Sequence, residues 1–265
     1  MEKVNVNTLF EMKKSGEKIS ALTAYDFTMA SLMDKAGVDL ILIGDSCGNV
    51  IAGYDTTIPV ELEDIIYHTR SVKRGVERAF VVADMPFMSF QESPEQALRN
   101  AGKLMKKGRA EAVKLEGGQH MAETIGKITK SGIPVLGHLG LTPQSVYAFG
   151  GYQVQGKGKN QAEKLKDDAL ALQKAGAFAI VLEKIPAQLA GEISESLKIP
   201  TIGIGAGSGC DGQILVSYDM LGLNEKFNPK FLRKYADLAT EIKGAVRNYT
   251  NDVKSGRYPT EDESY

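Results

Sequence analysis

Lys35-Ala36-Gly37-Val38-Asp39-Leu40-Ile41-Leu42-Ile43-Gly44-Asp45 is the stretch whose reading sets the architecture. A helix end meets a glycine, the residue that best accepts the left-handed backbone closing a helix. A near-continuous hydrophobic run follows, too short for a helix and apolar on both faces over Leu40-Ile41-Leu42-Ile43, as in a parallel strand covered on both sides. An ionisable residue then stands just past the strand. The same order recurs at Lys174-Ala175-Gly176 before a run ending in Glu183, and more weakly at Lys107-Gly108 before a run ending in Glu116. Ile133-Pro134-Val135-Leu136-Gly137 likewise echoes Ile199-Pro200-Thr201-Ile202-Gly203. Such recurrence marks a repeated β/α unit.

Working outward, strands are expected at 18–23, 38–43, 79–83, 111–116, 133–138, 178–183, 200–204 and 213–217. Eight is the number that closes a parallel barrel, so the fold class is α/β, a (β/α)8 TIM barrel. The chain reads as one barrel domain over 1–265, with a polar tail from about residue 251. An open doubly wound sheet is the alternative; the lack of two halves and of a convincing dinucleotide loop favours the barrel. Between the strands, Leu62, Ile65, Ile66 and Thr69 share one helical face after Pro59. Ser93-Pro94-Glu95-Gln96 reads as an N-cap, a first-turn proline and a capping-box glutamine. A final helix would place Phe231, Tyr235, Leu238, Ile242 and Val246 on one stripe.

Composition narrows the function classes. Lys plus Arg, 32, nearly balances Asp plus Glu, 33, which leaves no electrostatic footprint for nucleic acid or an anionic membrane. Cys47 and Cys210 stand far apart, so neither a disulfide framework nor a CxxC metal spacing exists. No apolar run reaches membrane-spanning length, and Met1-Glu2-Lys3-Val4-Asn5 lacks the apolar core of a signal peptide. A soluble, cytoplasmic protein is expected.

The chemistry is suggested by position. Asp45 follows the second strand, Asp84 the third, Lys114 and Glu116 end the fourth, His138 the fifth and Glu183 the sixth. Barrel enzymes draw their catalytic groups from the carboxyl ends of several strands, so these side chains should meet at one mouth. Singly each has a plainer reading: Asp45 could cap the next segment, Lys114 could pair with Glu116, and His138 could be structural. Ionisable groups at five successive strand ends favour a site. Three carboxylates and few histidines suggest a hard cation, Mg²⁺ rather than Zn²⁺. Such a cation chelates a 2-oxo acid and stabilises the charge that develops on the keto oxygen when a neighbouring C–H is removed, with a lysine adding positive charge. His68 and His120, near predicted helices and without ligand spacing, read as surface residues.

Gly207-Ser208-Gly209-Cys210-Asp211-Gly212 fits GxGxxG but leads into a strand, so the dinucleotide reading fails its context. A phosphate cradle and a tight loop without an intervening helix both remain open. Two long connections, from Gly44 to Pro59 and from Leu139 to Asn160, follow strands at the same face and suit loops that cover an active site.

Beyond these readings, Leu22-Thr23-Ala24-Tyr25-Asp26, Gly44-Asp45-Ser46, Ala83-Asp84-Met85-Pro86-Phe87, Val113-Lys114-Leu115-Glu116-Gly117-Gly118, Gly137-His138-Leu139-Gly140-Leu141-Thr142-Pro143-Gln144 and Ile202-Gly203-Ile204-Gly205-Ala206-Gly207 resemble the ketopantoate hydroxymethyltransferase family. The motifs are collinear from the first strand to Asp219-Met220-Leu221-Gly222. The resemblance implies hydroxymethyl transfer from 5,10-methylenetetrahydrofolate to 3-methyl-2-oxobutanoate, giving 2-dehydropantoate for pantothenate and coenzyme A synthesis. It implies that Asp45 and Asp84 bind Mg²⁺, with Glu116 completing the site directly or through water. Asp45, Ser46, Asp84 and Lys114 would hold the oxo acid, Glu183 would accept the proton, and His138 would be an auxiliary acid or polar contact. A cytoplasmic homo-oligomer, commonly a decamer, is implied as well. No folate pocket is legible in the residues themselves.

Three other readings stand beside it. Barrels of the isocitrate lyase or phosphoenolpyruvate mutase type also use Mg²⁺ and an enolate, but their cleaving members resemble one another in a Lys-Lys-Cys-Gly-His segment that neither cysteine here matches. A non-catalytic barrel would be free to lose the strand-end charges that this one keeps. A barrel acting on a phosphorylated substrate rests on the glycine-rich loop alone.

Overall fold

Eight parallel strands pair in sequence order and close on themselves in the computed structural model, which describes residues 2–265. They are β1 (Ile19–Thr23), β2 (Leu40–Ile43), β3 (Phe80–Asp84), β4 (Ala112–Glu116), β5 (Val135–Gly140), β6 (Ala179–Glu183), β7 (Thr201–Ile204) and β8 (Gly212–Leu215). Closure is made where Ile19 stands beside Gly212 and Ala21 beside Ile214. This is the expected (β/α)8 barrel, with β5 running two residues further than its sequence pattern and β8 ending two residues earlier. Helices α1 (Val6–Ser15), α2 (Phe27–Lys35), α3 (Cys47–Val50), α4 (Leu62–Gly75), α5 (Pro94–Lys103), α6 (Ala122–Lys130), α7 (Val146–Phe149), α8 (Lys159–Lys174), α9 (Ala187–Ser196), α10 (Ser217–Met220) and α11 (Leu238–Lys254) complete the elements. The chain divides into two compact units, Met1–Val216 with all eight strands and Ser217–Tyr265 with α10 and α11.

Strand side chains alternate between faces, and one buried cluster collects the inward set: Ile19 and Ala21, Leu40 and Leu42, Phe80 and Val82, Ala112, Leu136, Val181, Ile202 and Ile214. Val4, Leu9 and Met12 belong to the same cluster, so the segment leading into α1 and α1 itself seal the amino end of the barrel. Stepping two residues along each strand from this core gives Asp84 after Val82, Lys114 and then Glu116 after Ala112, His138 after Leu136, and Glu183 after Val181. The same pleat that fills the barrel with aliphatics therefore turns these ionisable groups inward at its carboxyl end.

The amino end carries charges of a different kind. Asp34 accepts hydrogen bonds from the backbone N–H groups of Glu77, Arg78 and Ala79, the last at 2.7 Å. Asp39 accepts from Ser20 and pairs with Arg78, while Glu111 pairs with Lys3 and Lys73. Each ties loops and helices to the starts of strands, which is a stability role.

Several local expectations change. Ser93 does cap α5 through the Gln96 N–H, but the Gln96 side chain bonds Met88 O and the Glu92 side chain, with a long contact to Glu92 N, instead of returning to Ser93. The final helix begins at Leu238, so Phe231 and Tyr235 precede it. Their segment is not helical because its amides are taken elsewhere: Tyr235 N–H donates to Met220 O and Leu238 N–H to Leu221 O. Helix α11 runs to Lys254, past the expected start of the tail. His68 is half-buried, with Nδ1 2.6 Å from Tyr25 O, and only His120 lies exposed as expected. Between β7 and β8 there is no helix. Gly207 has φ +79°, and a Cβ there would lie 2.4 Å from Ala187 Cβ on α9, so this glycine serves a tight loop packed against a helix. Among the described residues no helix is long and apolar enough to cross a membrane.

Candidate active site

Each site residue is delivered by a strand end or by the loop that follows it. Gly44 lets the chain turn at the end of β2, where a Cβ would lie 2.7 Å from Ser46 Oγ. The turn brings Asp45 over the mouth, with its N–H 3.2 Å from Asp84 Oδ2. Asp84, the last residue of β3, receives Lys114 Nζ at 2.8 Å on both carboxylate oxygens. Register makes this pairing, since Asp84 and Lys114 are direct neighbours across β3 and β4. Glu116 sits one step further up, 3.9 Å from Lys114 Nζ. Across β5, Glu116 is opposite His138.

His138 lies between two carboxylates. Its Nδ1 is 3.4 Å from Glu116 Oε1 and its Nε2 is 3.2 Å from Glu183 Oε2. These separations give charge attraction but not aligned hydrogen bonds, so both ring nitrogens and Glu116 Oε1 are buried without a hydrogen-bond partner in the protein. Burial and the Lys114 charge press His138 toward its neutral form, yet the flanking Glu116 and Glu183 outweigh them and raise it to about 9.

The two aspartates are strained electrostatically in the opposite sense. Burial and then the Asp84 charge push Asp45 up, against the pull of Lys114 and Gln144. Asp84 is raised chiefly by burial, with Glu116 adding to it and Lys114 opposing. Burial pulls Lys114 down, but Asp84, Glu116 and Asp45 together raise it, so the ammonium stays charged. Four acidic side chains, Asp45, Asp84, Glu116 and Glu183, thus meet two basic ones, Lys114 and His138, at the mouth. Buried charge of this kind calls for a counter-ion.

Among the described residues no group of three His, Cys, Asp or Glu has the arrangement to hold a metal ion. Asp45 and Asp84 supply two neighbouring carboxylates, and Mg²⁺ binds through one or two carboxylates while keeping waters and substrate oxygens for its remaining positions. The all-oxygen donor pair, the surplus of acidic over basic side chains and a Glu116 Oε1 buried without a hydrogen bond all fit a hard divalent cation.

The structure thus brings Asp45, Asp84, Lys114, Glu116, His138 and Glu183 into one chain of contacts. Ser46, beside Asp45, is half-buried and its Oγ lies 2.8 Å from the Tyr25 hydroxyl. Sequence reasoning missed Gln144. From the loop after β5 it donates from Nε2 to Asp45 Oδ2 and to Met85 O, both at 3.0 Å, and from its backbone N–H to Glu116 Oε2 at 3.1 Å. A neutral loop residue has no periodic or charge signal; its clues are its place in the motif ending Thr142-Pro143-Gln144 and Pro143 itself, which starts the 3-10 turn that carries it. Tyr152 was also missed: partial burial and then the charges of Asp45 and Glu183 raise its phenol, placing it at the same mouth. Its carbonyl receives Lys184 Nζ, just beyond Glu183.

Comparison with known proteins places this geometry. The ketopantoate hydroxymethyltransferase pattern matches residues 3–261. The 3-methyl-2-oxobutanoate hydroxymethyltransferase of Chlorobium luteolum is 58% identical, with 99% of this chain and 96% of that one covered. Among solved structures, phosphoenolpyruvate phosphomutase from Streptomyces platensis subsp. rosaceus superposes with a TM-score of 0.64 at 12% identity, covering 95% of this chain and 88% of its own. Phosphonopyruvate hydrolase in complex with oxalate and Mg²⁺ gives 0.63 at 15% identity, covering 98% and 93%. Those two share the barrel; it is the match running almost from end to end in sequence that assigns descent, and by it the chain belongs to the ketopantoate hydroxymethyltransferase family.

Proposed function

We propose that this enzyme transfers a hydroxymethyl group from 5,10-methylenetetrahydrofolate to 3-methyl-2-oxobutanoate, forming 2-dehydropantoate on the route to pantothenate and coenzyme A. It works in the cytoplasm as a homo-oligomer, with the decamer common in the family as the assembly carried over. The observation that supports the chemistry is the split in accessibility around the mouth. The Glu183 side chain is 18% exposed, whereas those of Asp84, Glu116, Lys114 and His138 are 5% or less. One carboxylate can therefore meet a substrate C–H while the others hold a fixed field around it.

Asp45 and Asp84 hold Mg²⁺, with Glu116 completing the site directly or through water. When bound, the ion supplies Lewis-acid polarisation of the 2-oxo group. Ser46, Asp45 and Asp84 orient the oxo acid, and Lys114, locked against Asp84, sets a fixed positive charge near the oxygen on which negative charge grows. Glu183 accepts the C3 proton. His138 is the polar contact beside the base, its Nε2 3.2 Å from Glu183 Oε2. Water opens the two C–N bonds of the folate's methylene bridge, the nitrogens taking its two protons as tetrahydrofolate leaves and its oxygen staying on the one-carbon unit at the formaldehyde level. The C3 carbanion equivalent adds to that carbon, and the proton held by Glu183 passes to the oxygen, which becomes the hydroxyl. Tyr152 and its loop lie where they shield the carbanion from proton return.

Purified protein with Mg²⁺ and both substrates tests this reading by mass spectrometry. Formation of 2-dehydropantoate, with no turnover of phosphonopyruvate or 2,3-dimethylmalate, supports it. Turnover of either of those substrates in place of 3-methyl-2-oxobutanoate would move the chain to the mutase or lyase chemistry of its structural neighbours.

A further inference from the structure

Gln144 occupies an unusual place among the buried polar groups. It is 4% exposed, and every hydrogen-bonding atom of its amide is used. The two Nε2 protons serve Asp45 Oδ2 and Met85 O, and Oε1 accepts from Gln91 Nε2 at 3.1 Å. Because a carboxylate and a carbonyl both face Nε2, the amide has one allowed orientation. The backbone N–H of the same residue holds Glu116 Oε2. The Gln144 side chain donates a hydrogen bond directly to the Asp45 carboxylate. Asp84 is held differently, clasped by Lys114 on both oxygens. Two carboxylates that must face one ion are thus oriented by two devices, a lysine on one and a neutral glutamine on the other.

We propose that Gln144 is a positioning residue for the metal site, fixing Asp45 through Oδ2 and Glu116 through Oε2 so that their other oxygens point into the mouth. This rests on the proposed Mg²⁺-dependent reading and deepens it. The logic is that of an outer hydrogen bond setting the rotamer of a metal ligand, where loss typically weakens metal affinity by about 10–100-fold. A neutral donor suits this place. A cation here would compete with Mg²⁺ for the Asp45 carboxylate, and an acid would repel Asp45 and Met85 O. The arrangement also joins the loop after β5 to loops after β2 and β3, because Gln144 touches Asp45 and Met85 together.

Gln144→Met keeps the shape and the backbone N–H but removes the amide. Mg²⁺ affinity measured by isothermal titration on the folded protein should weaken about 10–100-fold. In assays, the Mg²⁺ concentration for half-maximal turnover should rise in step, and saturating Mg²⁺ should restore most of kcat. A merely structural role would lower the melting temperature and leave the Mg²⁺ dependence unmoved. Gln91→Leu, at an exposed position, frees Gln144 Oε1 while leaving the amide in place and should weaken Mg²⁺ binding measurably, by less than the about 10-fold lower figure for direct loss of the amide. Mg²⁺ affinity within twofold of the parent in Gln144→Met, or unchanged in Gln91→Leu should the first variant not fold, overturns the proposal. Failure of the parent itself to bind Mg²⁺ marks the different case in which the metal-dependent reading has failed.

Discussion

Lys114→Met removes the positive charge that lies 2.8 Å from both oxygens of Asp84 in a site where neither side chain is more than 5% exposed. At an effective dielectric of about 20, two unit charges at this separation attract by about 6 kcal/mol, an upper figure because both charges were taken out of water. Breaking a buried pair by removing one partner typically destabilises by about 3–5 kcal/mol, since the remaining charge must be protonated or left unpaired. For a domain of this size each kcal/mol moves the melting temperature by roughly 2–4 °C, so a fall of about 6–20 °C is expected in metal-free protein. Asp84→Asn combined with Lys114→Met removes both charges and should recover most of that loss. Turnover should not recover, because a fixed positive charge at the developing oxyanion contributes about 10²–10³-fold. Scanning calorimetry on the parent, both single variants and the double variant reads the cycle directly. A Lys114→Met melting temperature within about 2 °C of the parent, or a double variant no more stable than Lys114→Met, would refute the reasoning.

Three further outcomes follow from other parts of the molecule. Glu183→Gln should lower kcat by about 10²–10⁴-fold while calorimetric binding of 3-methyl-2-oxobutanoate with Mg²⁺ stays within a few-fold, and normal turnover would remove Glu183 as the base. Gly140 has φ +92°, and a Cβ there would lie 2.2 Å from Glu183 O, so Gly140→Ala should destabilise by about 2 kcal/mol or more and slow turnover about tenfold by shifting Glu183; thermal melting and initial rates check both. Asp34 is held below its usual range because three backbone N–H bonds outweigh its burial. Its unfolded form binds a proton more readily, so its contribution is complete above about pH 4 and is lost as pH falls through the lower folded value. Asp34→Asn should therefore destabilise by about 1–3 kcal/mol at pH 7, with the gap to the parent narrowing in urea titrations as the pH is taken below about 4.

The strands were legible because a barrel strand is buried on both faces, and Leu40-Ile41-Leu42-Ile43 can be little else. The site followed from the pleat: Lys114 and Glu116 are two apart and two beyond Ala112, so a reader who knows the period knows that they face the interior. What the pattern could not carry was contact between loops. Gln144 is neutral and aperiodic, and its importance arises only when β2, β3 and β5 are side by side. The C-terminal stripe failed for a related reason. Phe231 and Tyr235 have helical spacing, but backbone amides in 235–239 bond to carbonyls of 220–222, a competition that no periodicity reveals. Gln96 was read as closing a capping box and instead bonds the backbone of Met88, which has φ +62° in the loop after β3.

The most direct test is proton NMR of 3-methyl-2-oxobutanoate in D₂O with the protein and Mg²⁺, with and without methylenetetrahydrofolate. The proposed function predicts loss of the C3 proton signal only when Mg²⁺ is present, and the appearance of 2-dehydropantoate only when the folate is added as well. Folded, metal-loaded protein that gives neither C3 deuterium exchange nor product would contradict it.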